Sequence, residues 1–560
     1  MPNDKELQFL NRRHKALFDE FQKWKSLFEE VRDNINPYLG YFEGEEANSG
    51  KRRDDKLICT NAIKYCHILA AGMQWGITSP TRPWVEYALP LQLMKLPGVA
   101  EWLDTCAQIT LDILDRSNFY AQNHQLYLEA PTFGTGAMLI LEDNETVIHC
   151  QTFTMGEYAF GVDDKGRPNS FARNIKMTVE QIVDKYGKEN CPQDVQNLYD
   201  QQRFDVWKDV KHLIVPNKAY DPKKMDNKAM RYRDYHWMAG NNEGKYLRDS
   251  GFNEFPISIA RWAVNGADIY GTGPGIWTLK DGMALHLVGS DIYSATELGV
   301  KPPIQAPVDV MKQGGINILP AGANYYNPNG GSDGGIKPVF QVALDIDHAV
   351  ALKKEIEEVM KQHYCVPVFQ WLLGLEGGTR TATEIQRIAA EQMTQMGPML
   401  ERLQNEYLPS VLDRVWAIGQ RLRVYPPPPP SLQRPEFAGM PIKIKYVSIL
   451  AQSQQNYMVT PIMSTLEAAM KMAIEGQRMD VYDNINFDES MRLIATNGGA
   501  PPSVLNSPEK IQQIREQRAQ QQQMEQMAAM GMAATQGAKN LGAAKMDGDT
   551  LLKRMAGGGQ

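Results

Sequence analysis

An α+β fold is predicted by three features of the chain. Long one-faced helical stretches stand at its start and at residues 382–419, a block of short alternating runs lies between Ala137 and Trp262, and two further helices bracket a Gly-rich insert. The first helix is read from Leu7, Leu10, Leu17, Phe21, Trp24, Phe28, Val31 and Ile35, with His14 filling the one gap in a spacing that alternates three and four. Asn36-Pro37 stops it. Four heptads also suit a coiled coil, but the large aromatics favour packing on a globular body.

A polar stretch follows in which Lys51-Arg52-Arg53 is offset at once by Asp54-Asp55, the pattern of a solvated surface rather than a phosphate site. Helices are expected over 56–76, 97–117 and 119–130, the first two separated by the proline-punctuated SPTRPWVEYALPLQ. The runs AMLILE, TVIHCQTF, EYAFGVD, VKHLIV and MRYRDYHWMA then alternate and are rich in β-branched and aromatic residues, so they read as antiparallel strands. One helix, MTVEQIVDKYG, interrupts them.

Residues 276–298 read as a helix that ends before Lys301-Pro302-Pro303. Short strands and the loop NPNGGSDGG occupy 302–346. A second helix over 347–364 sets Val350, Leu352, Ile356, Val359 and Met360 on one face, and Lys353, Lys354, Glu357, Glu358 and Lys361 on the other. The two helices and their insert form a stalk with a head.

A loop with Gly374, Gly377 and Gly378 comes next, and Thr381 with Glu384 three residues on makes a capping box that starts the longest helix. At 1.5 Å per residue, residues 382–419 would span roughly 57 Å. Gly397-Pro398 predicts a kink near the middle. VYPPPPPSLQ is a stiff connector, IKIKYVSIL a strand, and helices follow at about 460–476 and 488–496. Beyond Gln517 the chain is Gln, Met, Ala and Gly, a composition expected to be disordered or to order only by assembly.

The bulk properties narrow the function. A chain of 560 residues with 43% hydrophobic and 22% charged residues has the composition of a soluble multidomain protein. A formal charge of −7 argues against electrostatic gripping of nucleic acid. Six scattered cysteines, with no C-x-x-C pair, read as free thiols in a reducing compartment. The charged N-terminus has no apolar core of a secretory signal, and no run of 18 apolar residues offers a membrane span.

No catalytic motif survives inspection. Gly271, Gly273 and Gly275 have the wrong spacing for a dinucleotide fingerprint, and Pro274 removes an amide where phosphate would need one, so a helix-start turn is the plainer reading. Gly330 to Gly334 matches G-x-S-x-G, but Ser332 sits in a glycine loop rather than on a strand-to-helix turn. There is no P-loop, no H-E-x-x-H and no Cys/His set at zinc spacing. No catalytic, cofactor or metal residues are therefore assigned.

The order of parts resembles the portal (head-to-tail connector) proteins of short-tailed, podovirus-like bacteriophages over roughly residues 5–520. ILAAGMQWGITSPTRPWVEY (68–87), MTVEQIVDKYG (177–187), FPISIARWAVNGADIYGTGP (255–274), KPP (301–303), TATEIQRIAAEQMTQMGPMLERLQNEYLPSVLDRV (381–415) and YVSILAQSQQ (446–455) carry the resemblance. It implies a portal fold: a wing over 1–270, stem helices at 271–298 and 347–370, and a clip at 299–346. A tunnel loop at 371–381 would lead into a long kinked wing helix at 382–424. A connector and wing strand at 425–455 and a helical crown at 456–516 would follow, then the low-complexity tail 517–560.

The function implied is a ring, typically of twelve subunits, at one capsid vertex, through which double-stranded DNA is packaged and ejected. A terminase packaging motor would dock on it first and tail adaptors later, with scaffolding and major capsid proteins around it and no membrane. Such a protein resides in the virion after assembly in the host cytoplasm, is no enzyme and needs no cofactor. Twelve copies at −7 sum to about −84, which would keep DNA sliding. Gly374, Glu376, Gly377, Gly378, Thr379 and Arg380 are the DNA-facing candidates, although plain loop solubility suits them equally. Lys353, Lys354, Glu357, Glu358 and Lys361 are candidates for the channel wall, and Asn329, Gly330, Gly331, Ser332 and Asp333 for the docking loop of the clip. Another ring-forming virion component, such as a head–tail adaptor, is the alternative.

Overall fold

The computed structural model describes residues 4–42, 50, 52–94, 96–224, 226–240, 245–300, 304–305, 337–338, 346–372, 396–433, 443–446, 449–475, 483–497, 510–525 and 527. The chain divides into two compact units, 1–454 and 455–560. Helix and antiparallel sheet alternate in separate blocks, as the α+β class requires. Among the described residues no helix is long and apolar enough to cross a membrane.

In the first unit α1 (Asp4–Asn34) packs its aromatic stripe into the core rather than against a coiled-coil partner. Phe28 lies 5.7 Å from Tyr270 and 6.0 Å from Phe133 between ring centroids, and His14 stacks on Phe18. Three helices follow: α2 (Asn61–Ile77), the short α3 (Leu91–Met94) and α4 (Val99–Arg116). β1 (Val85–Ala88) separates the first two. α5 (Phe119–Phe133) ends at Gly134, whose φ of 76° is the left-handed turn that closes a helix.

Two antiparallel sheets carry the β block. β2 (Thr135–Asp143) lies between β3 (Val147–Phe153) and β9 (Ile257–Arg261). The five-stranded sheet runs β4 (Tyr158–Val162), β5 (Pro168–Thr178), β6 (Trp207–Pro216), β7 (Tyr232–Met238), β8 (Arg248–Phe252) in simple meander order. Between β5 and β6 sit α6 (Val179–Tyr186), with a full Thr178–Gln181 capping box, and α7 (Gln193–Asp200), which the sequence pattern did not single out. These two helices enclose a small core of their own around Val179, Ile182, Val195 and Val210.

The glycines of Tyr270–Gly275 are used for close packing. A Cβ on Gly275 would stand 2.2 Å from the Thr132 carbonyl oxygen, and one on Gly134 2.3 Å from that of Gly271. Backbone thus meets backbone where α5 ends and α8 (Pro274–Trp277) begins. α9 (Leu279–Val300) follows directly, and after the paired two-residue strands β10 (Ile304–Gln305) and β11 (Lys337–Pro338) comes α10 (Ile346–His363). α11 (Val366–Leu372) then lies so close to α2 that a Cβ on Gly72 would fall 2.0 Å from the Phe369 ring.

Residues 396–421 are helical with one interruption. Leu403–Tyr407 is a π turn, in which the Leu408 N–H reaches back five residues to the Leu403 oxygen, and α12 (Leu408–Arg421) continues from it. Pro409 has no N–H for the Asn405 carbonyl, so the ladder widens just before it. The expected bend at Gly397-Pro398 lies at the edge of the described residues; the irregularity within them has this second proline as its cause. The polyproline connector is strapped down rather than free: Trp102 Nε1 donates to the Pro426 oxygen at 3.0 Å and Tyr425 stacks on Trp416. β12 (Lys443–Tyr446) then pairs antiparallel with β1, Val85 opposite Tyr446. α13 (Ile449–Glu475) begins where the sequence pattern still read strand, and α14 (Phe487–Asn497) closes the element order.

Candidate functional site

The paired helices α9 and α10 are anchored at one end by buried polar and aromatic contacts. His286 accepts at Nδ1 from the Ile58 and Cys59 amides at 3.3 and 3.2 Å, and its Nε2–H donates to the Asn34 oxygen at 2.9 Å. One imidazole thereby ties α9 to the end of α1 and the approach to α2, each of its nitrogens used. Met360 of α10 and Tyr364, just past its end, are buried, Tyr364 near Tyr65 of α2.

Away from that anchor the pair becomes exposed. Leu287, Tyr293, Leu298 and Val300 of α9 and Leu352 and Val359 of α10 are apolar and uncovered in the single chain. Leu287 and Leu298 are three turns apart on one line, and Tyr293 and Val300 two turns apart on another, the lines separated by about 120° around the helix. The helix therefore carries two apolar stripes facing different ways.

This corrects the expected division of α10. Met360 is buried and Val350 and Ile356 half-buried, but Leu352 and Val359 face outward, while Lys353 and Glu357 are half-covered. The charged set forms pairs with itself. Lys353 and Glu357 approach to 3.9 Å, and Lys361 donates to Glu358 at 3.1 Å, leaving Lys354 exposed. Partly exposed pairs of this kind add little stability, but they cancel charge locally. Gly374, Glu376, Gly377, Gly378, Thr379 and Arg380, the cap Thr381–Glu384 and Asn329 to Asp333 lie outside the described residues.

Pro398 lines an open cleft of about 1240 Å³ between residues 398–414, the β4–β5 turn and β9. Its charges are largely committed to structure. Arg261 pairs with Glu406 of the π turn and donates to the Gly166 oxygen at 2.7 Å. Arg414, nearly fully buried, donates to Glu254 at 2.6 Å and to the Ile140 oxygen at 3.3 Å, and Arg421 reaches the same Glu254 at 3.0 Å. Burial lowers the Arg414 pKa, with Glu254 opposing that shift. These bridges hold the helix after the π turn to β2 and to the strand approach of β9.

Among the described residues one group of His, Cys, Asp or Glu side chains converges closely enough to hold a metal ion: His212, Asp234 and His236. Sequence spacing hid it, because cross-strand register brings His212 opposite His236. Both Nε2 atoms address Asp234 Oδ1, at 2.8 and 3.3 Å. Arg173 Nε donates to His212 Nδ1 at 3.2 Å and the Tyr186 hydroxyl to His236 Nδ1 at 2.9 Å. With both Nδ1 atoms accepting, both Nε2 atoms carry the protons, so neither offers Asp234's neighbour a lone pair for a metal. The point on which the two Nε2 atoms converge is already occupied by Asp234 Oδ1, their shared acceptor. The group is a satisfied polar network. Burial lowers the His212 pKa to about 3 and also lowers that of His236. Burial opposes the charge of Asp234 as well, yet the two histidine N–H groups hold its pKa well below the usual carboxylate value.

The family described as bacteriophage head to tail connecting protein matches residues 7–505. The chain is 31% identical to the portal protein of Salmonella phage epsilon15 over 542 residues, covering 96% of each. It is 31% identical to the probable portal protein of Bordetella phage BPP-1 over 518 residues, covering 92% of each. Among solved structures it is similar to a chain in the neck of an empty gene transfer agent particle at 12% identity and a TM-score of 0.33, covering 77% of this chain and 94% of that one.

Proposed function

The chain belongs to the bacteriophage head to tail connecting protein family, and we infer that it is a portal protein, a subunit of the ring at one vertex of a phage capsid through which double-stranded DNA passes. The observation that carries this reading is the match to phage portal proteins over nearly the whole of both chains, which favours it over a shorter head–tail adaptor. The two apolar stripes of α9 support the ring. A closed ring needs a heterologous interface, in which one face of each copy meets a different face of the next. A helix with one stripe toward each neighbour satisfies that need, and the uncovered Leu287 and Tyr293 would be buried by it.

On this reading residues 271–298 and 347–370, which hold most of α9 and α10, are the stem, residues 299–346 the clip that meets the terminase motor and then the tail, and residues 371–381 the tunnel loop. Lys353 with Glu357 and Lys361 with Glu358 would present the channel with paired rather than bare charge, which suits a wall that DNA must slide past. ATP hydrolysis falls to the separate motor subunit, twelve copies make the ring, and scaffolding and major capsid proteins surround it. Electron microscopy and native mass spectrometry of the purified protein test the reading. A ring of about twelve subunits with a central hole is expected; a monomer at every concentration would overturn it.

A further inference from the structure

The second compact unit carries a groove and, elsewhere on the same unit, a knob that suits it. α13 and α14 leave between them an apolar groove of about 550 Å³, lined by Met463, Leu466, Glu467, Met470, Phe487 and Met491. Met463, Met470 and Met491 are exposed in the single chain. Thioethers and a phenyl ring form a soft surface that adapts to another apolar side chain. The helix at 510–525 is fixed beside α14 by a two-pronged pair, Arg515 Nη1 and Nη2 to Asp488 Oδ2 and Oδ1 at 2.8 and 2.7 Å. From that anchor the helix carries Met524 roughly 14 Å onward. Met524 and Met527 are 68% and 67% exposed, so these side chains do not fill the groove of their own chain.

We propose that Met524 and Met527 of one copy insert into the Met463–Met470–Met491 groove of the neighbouring copy. The occupant is a second copy for three reasons. Groove and knob are separate surfaces of one chain, which is the unlike pairing that a closed ring repeats and a two-fold dimer does not require. The knob is apolar and the groove almost wholly so, with Glu467 its one charged lining residue. The Arg515–Asp488 anchor fixes the helix to α14 while its methionines remain exposed in the single chain. The proposal rests on the ring reading and extends its contacts to the second unit.

The test uses the full-length protein with the paired substitutions M470C and M524C, oxidised with copper phenanthroline and run under non-reducing conditions. A ladder of linked subunits is expected in the double variant and not in either single variant or the wild type, whose cysteines are buried or half-buried. An intrachain link without a ladder would overturn the proposal by assigning the groove to its own chain. Rings visible by microscopy without any link would overturn it while leaving the ring reading intact. Absence of rings from the wild type would overturn the ring reading itself. Should the double variant fail to fold, hydrogen exchange across 463–470 in rings truncated after Gln522 decides. Faster exchange than in full-length rings supports the contact, and unchanged exchange rejects it.

Discussion

His212 and His236 stack with ring centroids 4.0 Å apart and 16° from parallel, sharing one oxygen of Asp234 as the acceptor of both Nε2 protons. A third buried histidine, His14, has its pKa lowered to about 4, chiefly by burial. All three are neutral in the folded chain, while the unfolded chain protonates them near 6.5. Below that value the unfolded state binds more protons, so their contribution to stability is complete above pH 6.5 and is lost as pH falls toward the folded pKa. For His14 the loss is on the order of 3 kcal/mol. Replacing His14 with Phe, which can stack on Phe18 in its place, should flatten the fall of the melting temperature between pH 6.5 and 4.5. Equal slopes in the two proteins would show that His14 does not set it.

Gly134 combines a left-handed backbone with contact against Gly271. Gly134→Ala should cost about 3 kcal/mol or more in chemical denaturation, because the added methyl meets a carbonyl that cannot yield without moving the start of α8. Gly240→Ala has a similar φ of 75° but would meet nothing within 4 Å among the described residues, and should cost only about 1 kcal/mol.

Arg414 and Glu254 should behave as a buried pair. Arg414→Ala strands the carboxylate with Arg421 alone and opens space under Phe252, so a loss of roughly 3 kcal/mol is expected from urea midpoints. A change below about 0.5 kcal/mol would mean that the pair is only decorative.

Leu287→Glu with Tyr293→Glu alters two side chains that are exposed in the single chain, so its thermal stability should stay within about 0.5 kcal/mol of wild type. Ring formation, read by native mass spectrometry, should be lost. Normal rings would remove α9 from the interface.

Deleting Glu376–Gly378 should leave rings intact and reduce DNA filling or retention of the capsids they support, measured as packaged DNA per particle. Normal filling would place the DNA contact elsewhere.

Much of the architecture was legible in the sequence because it is periodic. The stripe from Leu7 to Ile35 and the alternating runs of β2, β3, β6 and β7 depend on burial along one element, which spacing reports directly. What escaped it depends on partners distant in sequence. His212 and His236 became a pair only through strand register, and the exposure of Leu352 depends on what stands beside α10. Pro409 was readable as a residue, but the effect of a proline on one carbonyl is seen only where the ladder is counted. The cleft charges were equally opaque, since Arg261 and Glu406 meet across 145 residues of chain.

The β1–β12 ladder sets a timetable for synthesis. Val85 waits for Tyr446, and at about 5–20 residues per second the ribosome needs from roughly twenty seconds to over a minute to deliver it. Through that interval β1 has an open edge, the kind of surface on which nascent chains of a protein made in many copies can pair with one another. Zipping β12 onto it closes that edge only after Tyr446 has emerged, so each subunit completes this pairing late in its synthesis.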